Sequence, residues 1–454
     1  MRCDVASDKW LPEKPFWKFL DQHDLRIALV DVPATIEVPK AINGVHLAGW
    51  GTHEVTTKGS WPPSLWKRLK NEFGPPIIPH ETYRPQTWKS LMQVRDESVK
   101  VTDQIVSISE SILAQERWDL FFVGLGATHR GGHLLWDLSQ IDEADLSAET
   151  LHALSNALLD VYQECDRSVA RLIERAPSDA RVLMFAVHGM GPEAGWAERV
   201  PKILSTIQRQ NELAPAKMGL LYKIRQNLPW QMARELSERL PQEVLNWMVT
   251  VWSANMFDWK TTRYFPLPMD DTGFLRINLK GREPQGIVDP GEEYDAICEE
   301  LREAFLSFRD IETNEPIVEN VYRTDELAPS DAPYRDRLPD LAITWGDISA
   351  MRSSGIRSEK YGRILWNTGG RLSSGRSGGH LRKGWFVAVG DGIAAGSRTG
   401  EHRTVDLVPT IFEWLGVEPD EGFQGKPIPA LCGQGGTESV KDTVLPLSDF
   451  QGDA

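Results

Sequence analysis

Five short runs of apolar and β-branched residues punctuate the chain: Arg26–Val32 (RIALVDV), Trp118–Leu125 (WDLFFVGL), Arg181–Val187 (RVLMFAV), Leu341–Trp345 (LAITW) and Trp385–Val389 (WFVAV). Each is almost continuously apolar, the pattern of a strand buried on both faces rather than one. Segments of helical period lie between them. From Ala148 to Arg175 the apolar positions Leu151, Leu154, Leu158, Val161 and Tyr162 share one face, and Pro177 follows as a stop. Glu292–Ser307 repeats this spacing with Tyr294, Ile297, Leu301 and Phe305. Val405–Leu415 is a third helix, with Asp406 at its start and Gly416 as its stop. Strands alternating with helices predict an α/β fold, a mostly parallel central sheet flanked by helices, over residues 1–431.

Two stretches depart from that alternation. The segment Pro201–Phe265 is helical in period, rich in Arg and Lys, and carries Trp230, Trp247, Trp252 and Trp259. It is expected to form a helical cap or insertion over the sheet edge, with its tryptophans turned toward a cleft. Ser353–Gly379 reads as loop, ending in GGRLSSGRSGG just ahead of His380, and residues 432–454 read as a loosely ordered tail.

Composition narrows the classes. At 41% hydrophobic and 25% charged residues the chain can build a sizeable core, which excludes disorder throughout. No run approaches 18 apolar residues, so no membrane-spanning helix is expected. Fifty basic against 65 acidic residues leave a net charge of −15, which disfavours a nucleic acid polymer or an anionic membrane as partner. Cys3, Cys165, Cys298 and Cys432 are scattered without CxxC spacing, unlike a thiolate zinc site or a disulfide framework. With no apolar leader in its first residues, the expected location is cytoplasmic.

With only ten histidines, their placement is informative. His129 and His133 follow the second apolar run in the string THRGGH, His188 follows the third in VHGMG, and His380 precedes the fifth. Ligands of open α/β sheets bind at the carboxyl ends of strands. An HxxxH pair on a helical turn puts two imidazoles on one face, able to grip one cation. The glycines between them weaken a helix but permit close approach of another backbone. Each histidine alone is an ordinary polar loop residue; their joint position at strand ends makes His129, His133, His188 and His380 candidate metal ligands.

The strings PFWKFLDQHDLRIALVDVP, WDLFFVGLGATHRGGHLLWDLS, VLMFAVHGMGP, GFLRINLKGREPQGIV, GHLRKGWFVAVGDGI and VDLVPTIFEWLGVEP resemble the alkaline phosphatase superfamily. The branch they are most similar to is the type I phosphodiesterase/nucleotide pyrophosphatase group, from about Pro15 to about Pro429. That resemblance implies a metal-dependent hydrolase of small-molecule phosphate, or sulfate, esters. In such enzymes Asp and His side chains hold two divalent cations and a Ser or Thr attacks phosphorus. The cations neutralise developing charge on the equatorial oxygens and stabilise the entering and leaving oxygens. One ligand set falls on His129, His133 and His380, with His129 where an aspartate is usual; imidazole still suits zinc. The other falls on His188, preceded by Val187 where an aspartate is usual. Zinc, one ion or two, is the expected cofactor. Arg130 is a candidate contact to a substrate oxyanion.

The nucleophile stays unassigned. The family's first strand, with a metal-binding aspartate, and the helix bearing its nucleophile would lie upstream of Met1. Thr52 and Ser111 have no motif support and read as ordinary loop and helix residues. The expectations are therefore a hydrolase, in truncated form, or a catalytically degenerate homologue that binds a ligand or partner.

Overall fold

The computed structural model describes residues 15–33, 35, 38, 41–52, 58–77, 86–141, 146–210, 257–267, 272–328, 331–332, 334–366, 371–372, 374–419 and 421–433. Its architecture is mixed α/β, centred on β1 (Ile27–Val30), whose four residues are fully buried. Strand β2 (Gly44–Ala48) and β4 (Leu120–Val123) pair with β1 in parallel, and β3 (Gly59–Trp61) pairs antiparallel outside β2. Alternation along β1 divides the core in two. Ile27 and Leu29 meet Phe16 and Leu20 of α1 (Phe16–Leu20) and Phe412 of the carboxyl-terminal helix Leu407–Leu415. Ala28 and Val30 meet Leu65 and Leu69 of α2 (Pro63–Phe73) and Val101, Ile105 and Ile108 of α3 (Trp88–Leu113). Thr87 opens α3 with a capping box to Ser90, which satisfies amides the first turn cannot.

The helix α4 (Ala127–Leu135) leaves β4 and is clasped between α3 and the next helices. The single helix expected over Ala148–Arg175 is two, α5 (Ala148–Ser155) and α6 (Ala157–Arg175), parted at Asn156. Side chains explain the break: Ser155 donates to the Leu151 carbonyl and Asn156 to that of His152, both at 2.9 Å. Such local bonds compete with the helical ladder.

A second core lies under an antiparallel sheet of β7 (Tyr264–Leu267), β8 (Gly273–Ile277), β10 (Val318–Arg323) and β11 (Leu341–Trp345), in the order β10-β11-β8-β7. Helix α7 (Val200–Gln210) contributes Ile203 and Ile207 to this core, and α8 (Glu292–Leu306) contributes Ile297, Leu301 and Phe305. The short α9 (Thr324–Leu327) follows β10. A three-stranded ribbon of β9 (Arg309–Asp310), β12 (Gly355–Ser358) and β13 (Gly362–Leu365) closes one side. Leu341–Trp345 is thus a strand as expected, but antiparallel and outside the first sheet; an apolar run reports burial, not strand direction.

The GREPQGIV string earns its place here. Arg282 binds Asp340 through both Nη atoms at 2.7 Å, and Asp340 also accepts from the Ile277 amide and the Tyr294 hydroxyl. The pair pins the turn after β8 to the loop before β11.

Strand β5 (Val182–Ala186) pairs antiparallel with β15 (Trp385–Val389), and β6 (Gly189–Pro192) with β14 (Gly378–Leu381). Among the described strands, parallel pairing is confined to β1 with its two neighbours. Full burial, expected for β4, β5 and β15, is not what these strands have. All four β4 residues are half-buried, and Met184, Trp385, Val387 and Val389 are 36–58% exposed. Among the described residues, one face of the β5–β15 ribbon is uncovered and two strand edges are open. Leu120 and Gly124 donate to carbonyls flanking and ending β1, so by strand geometry Phe121 and Val123 direct their amides away from it. No described strand pairs with β4 there, nor with the edge of β5 opposite β15. On the other face Phe122 and Phe185 bring their rings to 6.1 Å across the interval.

Of the expected cap over Pro201–Phe265, α7 forms its start, while Tyr264 and Phe265 belong to β7. Residues 211–256, with Trp230, Trp247 and Trp252, lie outside the described residues. Trp259 packs edge-on against Phe265 at 5.0 Å, in a scaffold contact. The helix expected from Val405 begins two residues later as α10 (Leu407–Leu415). Asp406 turns its carboxylate back to the amides of Arg403 and Lys426, which holds its pKa below the usual value despite partial burial.

His46 on β2 is fully buried, its ring nitrogens have no hydrogen-bond partner, and burial, aided by the Lys18 charge, pushes its pKa down to about 4. The unfolded chain, with a histidine pKa near 6.5, then binds more protons than the folded one below that pH. Stability is therefore expected to be full above pH 6.5 and to fall by about 3 kcal/mol as pH drops through 4. Urea unfolding at pH 7 and pH 4 measures it. In His46→Leu this share of the acid sensitivity should vanish; an unchanged pH profile would assign it elsewhere.

Candidate metal centre

Helix α4 begins directly after β4, so its amino-terminal turn lies at the carboxyl end of a sheet strand. His129 is its third residue and His133 lies one turn on, both on one face. His188 stands at the bend between β5 and β6, which run on in one direction against β15 and then β14. Strand β6 then pairs with β14 in a register that sets Met190 opposite His380. One antiparallel ribbon and one helical turn thereby bring the four rings together.

The convergence is close. His129 lies with its ring centroid 4.7 Å from that of His133, 5.4 Å from His188 and 5.0 Å from His380. His133 and His380 are 4.7 Å apart, and His188 and His380 4.1 Å. Nε2 of His129 is 2.9 Å from Nε2 of both His133 and His380. Ligand nitrogens of His129, His188 and His380 lie within 4.8 Å of one another. Nitrogens bound to a tetrahedral zinc at its usual bond length stand about 3.3 Å apart, so this spacing needs little adjustment to hold one.

Tautomer chemistry points the same way. Nδ1 of His133 is 2.9 Å from the Gly378 carbonyl oxygen, and Nδ1 of His188 is 3.1 Å from that of Gly189. A carbonyl only accepts, so both Nδ1 atoms carry a proton, and in the neutral form of either ring the lone pair falls on Nε2. A backbone acceptor behind the ring is the usual way to orient a metal-binding imidazole. The residues present fit a divalent cation.

The other expected residues fall differently. Arg130 is 2% exposed and donates from Nη1 to the Gly51 carbonyl at 2.6 Å. It lies beside Asp31, whose carboxylate accepts the Trp50 and Gly51 amides and whose pKa burial raises. In this structure the guanidinium braces the loop after β2. Thr52 is buried in that loop, and Ser111 sits near the end of α3, where its carbonyl accepts from Gln115. Val187 is 52% exposed and offers no ligating atom beside His188.

Sequence reasoning missed Ser377 and Gly378, which tie β14 to α4. Ser377 donates its amide to the His133 carbonyl at 2.9 Å, and a Cβ on Gly378 would lie 1.9 Å from the Gly132 oxygen. The glycine pairs on both sides, Gly131-Gly132 and Gly378-Gly379, were the available signal.

No helix among the described residues is long and apolar enough to cross a membrane. No curated protein matches the chain closely enough to count as a relative. A solved structure of human ectonucleotide pyrophosphatase/phosphodiesterase 5 is similar over 91% of this chain and 72% of that one, with 11% identity and a TM-score of 0.38. The family described as type I phosphodiesterase/nucleotide pyrophosphatase matches residues 4–355. That span takes in β1, the HxxxH helix, the bend bearing His188 and the Arg282–Asp340 anchor, and the chain belongs to this family.

Proposed function

We propose that the chain is a metal-dependent hydrolase of small phosphodiesters or nucleotide pyrophosphates, with His129, His133, His188 and His380 as ligands of a divalent cation, zinc first. The convergence of four imidazoles, two of them with their Nδ1 protons held by backbone carbonyls, carries the reading. Four histidines in van der Waals contact serve no packing need that apolar side chains would not meet better. When bound, the cation supplies Lewis acidity toward a phosphoryl oxygen. His133 and His188 present Nε2 lone pairs because Gly378 and Gly189 retain their Nδ1 protons. Arg130 holds the Gly51 loop and so fixes the ground on which α4 rests. Because Val187 supplies no oxygen beside His188, a second cation would be weakly held and turnover by this chain is expected to be slow.

The test is release of p-nitrophenolate from bis(p-nitrophenyl) phosphate and from a p-nitrophenyl nucleoside phosphate, with added zinc and after chelation. Zinc-dependent release that disappears in His133→Ala supports the proposal. Zinc binding at these histidines without turnover on either ester would overturn the hydrolase and leave a ligand-binding homologue.

A further inference from the structure

We infer that the Ser377–Gly378 peptide is the positioning element of the histidine cluster, a clasp that sets both the tautomer of His133 and the seat of His380. The inference rests on the metal-site reading above. Three elements meet at this peptide. Toward α4, the Ser377 amide donates to the His133 carbonyl at 2.9 Å, and the Gly378 carbonyl accepts from His133 Nδ1 at 2.9 Å. The same histidine is thus held at its backbone and its ring by the two peptide groups that flank the Ser377–Gly378 bond. Toward the segment after β6, the Ser377 carbonyl accepts from the Glu193 amide at 2.9 Å. Toward the end of α4, Ser377 Oγ is 3.4 Å from the Leu134 carbonyl and 3.3 Å from the Asp137 amide. Ser377 is fully buried among these partners.

Gly378 makes the approach possible. A Cβ there would stand 1.9 Å from the Gly132 oxygen and 2.9 Å from Trp136 Cβ, and the first of these is backbone that cannot step aside. Gly132 is different: its added Cβ would meet the Met190 side chain, nearest at 2.8 Å from the terminal methyl, which can rotate away. Only Gly379 separates Gly378 from His380 on the same strand. Whatever lifts the strand from α4 therefore moves His380 and releases the His133 ring together.

The clasp predicts a state visible without metal. In chelated wild-type protein labelled with 15N at histidine, a long-range 1H–15N spectrum should show His133 protonated on Nδ1 alone, assigned by its loss in His133→Asn. An Nε2–H form of His133 in the wild type would overturn the inference, whatever any variant does. In Gly378→Ala, the His133 signals should become a mixture of tautomers and zinc affinity should fall at least 10-fold, the scale of losing an outer partner of a ligand. Gly132→Ala should keep both readouts within about 2-fold of wild type, since a flexible methionine yields to it. Equal zinc affinity in Gly378→Ala and wild type would sink the positioning role. Failure of the wild type itself to bind zinc would instead strike the metal reading, while the metal-free tautomer spectrum would still decide the clasp.

Discussion

His380→Ala is expected to cut zinc affinity by more than 100-fold while leaving the unfolding transition nearly in place. His380 is exposed on β14, so its loss opens no core cavity. Its ring lies 4.1 Å from that of His188 and its Nε2 2.9 Å from that of His129, so it joins the helix-borne pair to His188. Removing an outer partner of a metal ligand typically costs about 10–100-fold, and removing a ligand itself should exceed that. Isothermal titration with zinc measures the affinity, and urea unfolding in chelator provides the stability control. An affinity within threefold of wild type would show that zinc, if bound, is held elsewhere.

Asp340→Ala should destabilise the protein by about 3–5 kcal/mol, the range for stranding one partner of a buried ion pair. The Asp340 side chain is 4% exposed and that of Arg282 16%. Removing the carboxylate leaves the guanidinium its bond to the Ile277 carbonyl and its contact with Glu283, and deprives Tyr294 and the Ile277 amide of their acceptor. Urea unfolding in chelator at pH 7 reads the loss. The double variant Arg282→Met with Asp340→Leu should recover much of it, because the penalty lies in the buried donors left without Asp340 rather than in the absence of a salt bridge. A double variant as unstable as Asp340→Ala would mean that the pair, and not its disruption, supplies the stability.

The histidine site could be read from the sequence for a definite reason. A metal-sized cluster needs residues at strand ends and one turn apart on a helix, and His129, His133, His188 and His380 satisfy both conditions in one dimension. Strand positions were legible for the same reason, since Leu341–Trp345 and Trp385–Val389 fall where their apolar runs do. Their directions were not, because parallel and antiparallel strands bury the same residues. Asn156 broke a helix through side-chain bonds that a count of apolar positions ignores. The bond from Arg130 to Gly51 was not legible, because guanidinium suits a backbone carbonyl as well as an ester and only the fold says which is nearer. Gly378 acts through the side chain it lacks, and such a role shows only when Gly132 is seen opposite.

Among the described residues no strand pairs with the outer edges of β4 and β5, and Met184, Trp385, Val387 and Val389 are exposed, which bears on how this surface behaves in concentrated solution. Unpaired strand edges are templates for another chain, and an apolar face beside them adds adhesion. Opposing this is a net charge of −15, which keeps like molecules apart at low ionic strength. Salt shortens the reach of that repulsion to about 8–10 Å under physiological conditions and leaves the apolar attraction intact. The described surface therefore makes colloidal behaviour a contest decided by the buffer, with dilute salt favouring dispersed molecules and concentrated salt favouring contact through the β5–β15 ribbon.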